Sequence, residues 1–101
     1  MTERIIFPIA KEFDPDLVLI SSGFDSARGD PLGGLSVDPE GYAYMTRRLS
    51  ELANGKVVIC LEGGYSLDAI SMGAEACMRS MFNEPLPYKC SNDKRTFKQL
   101  F

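Results

Sequence analysis

Asp25 and Tyr65 are the two side chains whose neighbours suit them for chemistry. Asp25 follows Gly23 and Phe24 inside SSGFDSARGDPLGG, Ser21–Gly34, so its carboxylate can project from a loop whose backbone turns freely. Such a group is an oxygen donor for a cation such as zinc, at about 2.0–2.2 Å. It can equally close an Asx turn or cap a helix start. Tyr65 follows Gly63 and Gly64. Its phenol can donate a hydrogen bond to a developing oxyanion, a contact whose loss costs on the order of 10²–10³ in rate in studied enzymes, or it can pack in a core. The two glycines permit close approach of backbone to a ligand, or simply a tight strand-to-helix turn. Asp30, Pro31, Leu32, Gly33 and Gly34 read as consecutive turns, with Arg28 available to pair with Asp30 and structural bracing the role expected of both charges.

Several chemistries are excluded at the motif level. No Gly-Lys-Ser/Thr follows the glycines, so there is no phosphate loop, and no G-x-S-x-G elbow is present. The chain contains no histidine, the usual general base near neutral pH and the commonest metal ligand. Its 3 cysteines, Cys60, Cys77 and Cys90, form no C-x-x-C pair and point to a reducing compartment, nucleus or cytoplasm. The net charge is -3, with no lysine or arginine cluster before Lys89, so direct binding of nucleic acid lacks its electrostatic footprint. No apolar run approaches the roughly 20 residues that cross a bilayer, and nothing at the amino end reads as a signal peptide.

The elements that must position Asp25 and Tyr65 follow from periodicity. Ile5, Ile6, Ile9, Ala10 and Phe13 recur at steps of three and four, which predicts a short helix with one apolar face. Asp14, Pro15 and Asp16 supply a turn, and LVLIS follows as a continuous apolar run, expected to be a strand covered on both faces. Asp38 and Pro39 stand where an N-cap and an N1 proline belong. Tyr42, Met45, Leu49 and Leu52 then keep helical spacing up to Asn54 and a C-cap Gly55. Tyr44 and Met78 are assigned to the core with Tyr42 and Met45. A second strand runs from Val57 to Leu61, and Ser66 caps a last helix whose apolar face is Leu67, Ile70, Ala74, Cys77, Met78 and Met81. Pro85 and Pro87 end it, and Lys89–Phe101 is a polar, basic tail beyond a domain spanning 1–88. The order is that of an α/β unit with a right-handed crossover, in which both special loops leave the carboxyl ends of neighbouring parallel strands, the edge where open α/β sheets bind ligands.

With both loops placed, the chain resembles the zinc-dependent histone deacetylase family, and within it the class II, tubulin-deacetylase type. The matching words are PIAKEFDPDLVLISSGFDSARGDPLGG, VDPEGYAYMTRRL and LEGGYSLDAIS, in that order. The resemblance implies the arginase/deacetylase fold, with a central parallel sheet and zinc at the carboxyl ends of its strands. It implies that Asp25 is one of three protein zinc ligands and that Tyr65 polarises the acyl carbonyl. It further implies that Leu32 walls an acyl-lysine tunnel which Gly63 and Gly64 flank. The implied reaction is hydrolysis of N6-acetyl-lysine on histones, tubulin or other proteins, in the manner of a chromatin regulator.

The family's remaining ligands and its paired histidines have no counterpart in this sequence. A lone carboxylate does not hold zinc tightly, and no base remains to activate water. The expectation is therefore the C-terminal part of a deacetylase catalytic domain, inactive and molten by itself, whose partner is the missing N-terminal half. Two other readings stay open: a non-catalytic remnant acting as a binding module, and part of an acetylpolyamine amidohydrolase.

Overall fold

The computed structural model describes residues 2–86. A π-helical turn, Thr2–Ile6, runs into α1, Phe7–Phe13, with Pro8 just past the junction. The chain reverses at Asp14, whose backbone is left-handed (φ 53°) and whose amide donates to Ala10 O. Strand β1, Val18–Ser22, is followed by the long glycine-rich loop and α2, Pro39–Leu49. Strand β2, Val57–Leu61, and α3, Leu67–Met81, complete the described chain.

β1 and β2 are parallel neighbours, with Val18 opposite Val57 and Ser22 opposite Leu61. The connection through α2 makes this a βαβ unit in an α/β arrangement, so both loops leave the same edge of the sheet. Phe24, Ala27, Tyr42 and Cys77 form the buried core, with Met45, Ile59, Ile70 and Ala74 packed around it. The rings of Phe24 and Tyr42 meet at 5.0 Å and 58°, a tilted contact. α2 and α3 therefore close on one side of the sheet.

The other side is open, which corrects the expectation of strands covered on both faces. Leu19 is 68% and Val58 46% exposed, because no described element lies over them. The face predicted for the first helix is also outward. Ile5, Ile9 and Phe13 are exposed, and the residue that turns inward is Phe7, under the Arg48 guanidinium at 4.7 Å. On α3 the buried residues are Gly73, Ala76, Cys77 and Ser80, while Leu67 and Met78 face outward. Tyr44, assigned to the core, instead donates its hydroxyl to Glu3.

α2 ends earlier than its spacing suggests. The Ser50 hydroxyl donates to Thr46 O, and Ala53, Asn54 and Gly55 form a separate turn with positive φ throughout. Gly55 therefore closes that turn onto Leu52 rather than capping α2. Asp38 precedes α2 without a side-chain cap, because its carboxylate is spent on Arg28, whose Nε lies at 2.7 Å. Ser66 does cap α3, accepting from the Ala69 amide at 3.4 Å. The basic tail, Pro87 and the boundary at residue 88 lie outside the described residues.

Candidate active site

The site grows from the ends of β1 and β2. The ladder continues past the strands, with the Glu62 amide donating to Ser22 O at 3.0 Å and the Phe24 amide to Gly63 O at 2.7 Å. These two bonds fix Gly63 beside the Phe24–Asp25 peptide. Phe24 is the anchor of the loop, 2% exposed and pressed against helix α3. A β-carbon at Gly73 would lie 2.5 Å from the Phe24 ring, so the helix carries glycine where the ring enters. With Phe24 turned inward, the next side chain turns out towards the loops.

Asp25 is surrounded by three glycines. A β-carbon at Gly23 would stand 3.0 Å from Asp25 Oδ1, and one at Gly63 would stand 2.7 Å from Oδ2. One at Gly33 would overlap the Asp25 carbonyl oxygen at 1.6 Å. At Gly33 the clash is with backbone and only glycine fits, whereas at Gly23 and Gly63 an added β-carbon would displace the movable carboxylate end. Gly64 has a different task, since its φ of +140° brings the chain past Phe24 and Ile70 into Tyr65. Tyr65 is 61% and Leu32 70% exposed, at the same edge of the sheet as Asp25.

The two loops are tied by a residue that spacing did not single out for this role. Asp30 Oδ1 accepts the amides of Leu32 and Gly33 at 2.8 and 2.9 Å, and Oδ2 accepts the amide of Tyr65 at 2.8 Å. Burial raises the pKa of this carboxyl, but the amide hydrogen bonds from Leu32, Tyr65 and Gly33 outweigh it and leave Asp30 below its ordinary value. Arg28 reaches Asp38 across the bridge between Ala27 and Val37, with Nε 2.7 Å from Oδ1. Deeper in the loop, the hydroxyls of Ser26 and Tyr42 share a 2.6 Å hydrogen bond. Desolvation pushes the Tyr42 phenol up. A separate hollow of about 280 Å³, lined by Asp14, Asp16, Ala53 and Lys56 among others, lies at the opposite, amino ends of the strands.

The fold and this edge geometry can be set beside known proteins. The model of the histone deacetylase domain matches residues 1–81. The chain belongs to the histone deacetylase domain family. It is 52% identical over 83 residues to the histone deacetylase clr3 of Schizosaccharomyces pombe, covering 82% of this chain and 12% of that protein. Against the Candida albicans histone deacetylase HDA1 it is 51% identical over 82 residues, covering 81% and 10%. The solved structure of the histone deacetylase Clr3 superposes with a TM-score of 0.82 at 48% identity, over 89% of this chain and 15% of that one. The HDA15 HD domain superposes at 0.79 and 47% identity, over 84% and 24%. The chain thus spans about a tenth of the length of these curated relatives.

Histone deacetylases are generally zinc-dependent, so the donors present bear directly on the site. A protein zinc site takes three or four ligands. This chain has no histidine, and among the described residues no group of three or more His, Cys, Asp or Glu is placed to hold a metal ion. Asp30 has both oxygens committed to amides. Asp25 is one candidate donor, and it does not make a complete site. No helix among the described residues is long and apolar enough to cross a membrane.

Proposed function

We propose that this chain supplies one side of the active site of a zinc-dependent lysine deacetylase. The observation that carries this reading is the junction of the two loops at one strand edge, where Asp25 and Tyr65 are held in fixed relation by the Phe24–Gly63 and Asp30–Tyr65 hydrogen bonds. In this reading Asp25 gives one carboxylate ligand to zinc, and the remaining ligands and the base come from elements outside this chain. The Tyr65 phenol donates to the acyl oxygen of an acetylated lysine and stabilises the charge that develops there. Leu32 gives the acyl chain an apolar wall, and Gly63 and Gly64 let that chain run close to the backbone. The substrate is an acetylated lysine of a histone or another protein in the nucleus or cytoplasm. The strings GDPLGG and EGGY favour class II.

A second reading, a non-catalytic module, draws support from the open sheet face at Leu19 and Val58 together with the absence of histidine. The two separate in one experiment. The full chain is carried in place of the matching segment of Schizosaccharomyces pombe clr3, and the hybrid is assayed with an acetyl-lysine peptide beside the isolated chain. The deacetylase reading predicts turnover by the hybrid and none by the isolated chain. A hybrid that folds and binds zinc but does not turn over would favour the module.

A further inference from the structure

We propose that Asp30 is a positioning residue that sets the Tyr65 phenol and the Leu32 wall in register through a single carboxylate. The proposal rests on the reading of Tyr65 as the group that meets the acyl oxygen, and it starts from what each oxygen of Asp30 does. Oδ1 turns the loop on itself by accepting from Leu32 and Gly33. Oδ2 crosses to the second strand's loop and accepts from Tyr65, 35 residues away in sequence. One rigid, planar group therefore links the turn at Leu32 and Gly33 to the backbone of Tyr65, beside the Ser21–Glu62 side-chain bond at 3.1 Å and the Phe24–Gly63 backbone bond at 2.7 Å nearer the strands.

Tyr65 needs such a hold. It lies between Gly64, at φ +140°, and Ser66, the cap of α3, so its own amide precedes the helix and has no helical partner. Its side chain is largely exposed and packs into no core that would fix it. Without Asp30 the flexible Gly63–Gly64 pair leaves the backbone of Tyr65 free to swing. A displacement of about 1 Å at a reacting group can cost on the order of 100-fold in rate.

Two substitutions remove the hold on Tyr65 while keeping an acceptor within the local turn. Asp30→Asn keeps an acceptor for Leu32 and Gly33 but turns an amide donor towards the Tyr65 N–H. Asp30→Ser keeps a short acceptor within the local turn and cannot span to Tyr65. In the clr3 hybrid, both should lower kcat roughly 10- to 100-fold with zinc content unchanged, and both should speed hydrogen exchange at the Tyr65 amide. The deciding comparison is with Tyr65→Phe. If Asp30 acts through the phenol, adding Asp30→Asn to Tyr65→Phe lowers kcat little further. Equal fold losses in the two backgrounds, or an unchanged Tyr65 amide exchange rate in both Asp30 variants, would overturn the proposal. Full activity in Tyr65→Phe would instead remove the role of the phenol, and the amide exchange would still decide whether Asp30 holds that backbone.

Discussion

Gly63 stands against the carboxylate of Asp25, so close that a β-carbon would lie 2.7 Å from Oδ2 and 3.1 Å from Cγ. The backbone of one loop is thus the wall against which the candidate ligand of the other rests. Gly63→Ala should push the carboxylate aside, because a side-chain end moves more readily than backbone. In the clr3 hybrid this variant should lose bound zinc, while its melting temperature measured with metal removed stays close to that of the metal-free parent. Zinc retention equal to the parent would show that the carboxylate does not depend on that wall.

Gly33 makes a contrasting case. Its added β-carbon would meet the Asp25 carbonyl oxygen at 1.6 Å, and a backbone atom cannot rotate away. Gly33→Ala should destabilise the hybrid by about 1–3 kcal/mol, the range for forced overpacking. Denaturant unfolding reads it directly, and a cost no larger than that of Gly63→Ala would contradict the packing described.

The hydroxyl pair of Ser26 and Tyr42 ties the loop to α2 at 2.6 Å. Tyr42→Phe keeps the ring contact with Phe24 and removes only this bond, which predicts a loss of about 1 kcal/mol. A larger loss would mean that the ring itself had shifted.

Acid should weaken the attachment of the amino-terminal turn to α2. The Arg48 guanidinium and the Tyr44 hydroxyl hold Glu3 at about 2, against an ordinary value of 4.5. A carboxyl depressed on folding contributes stability above its unfolded value and loses it as pH falls through the folded one. The contribution is therefore complete above about pH 4.5 and disappears towards pH 2. Glu3→Gln should flatten this part of the acid unfolding curve, and coincident curves for parent and variant would exclude the linkage.

Much of this arrangement is legible in the sequence because it is local. The β2 run Val57–Leu61 appears as expected, since its shortness, its β-branched residues and the flanking Gly55 and Gly63 favour strand over helix. Ser66 caps α3 for the same kind of reason. What escapes is set by partners distant in sequence. The pairing of Arg28 with Asp38 depends on the bridge between Ala27 and Val37, and the hold of Asp30 on Tyr65 depends on the two strands lying side by side. Periodicity found the apolar stripe of Ile5, Ile9 and Phe13 but not its direction, because period alone does not say what lies opposite.

That outward stripe, with Leu19 and Val58, leaves much apolar surface in water. The isolated chain should bind a hydrophobic dye and melt without a cooperative transition, while keeping helical far-ultraviolet dichroism. Sharp, cooperative unfolding of the isolated chain would show that the exposed face needs no cover.

The central claim, that Asp25 and Tyr65 have separate roles at one deacetylase site, is tested most directly by zinc content per chain in the clr3 hybrid. Asp25→Ala should lose the metal and, with it, activity. Tyr65→Phe should keep stoichiometric zinc while turnover falls on the order of 10²–10³-fold. Equal zinc in the two variants would contradict the assignment of Asp25 as a ligand.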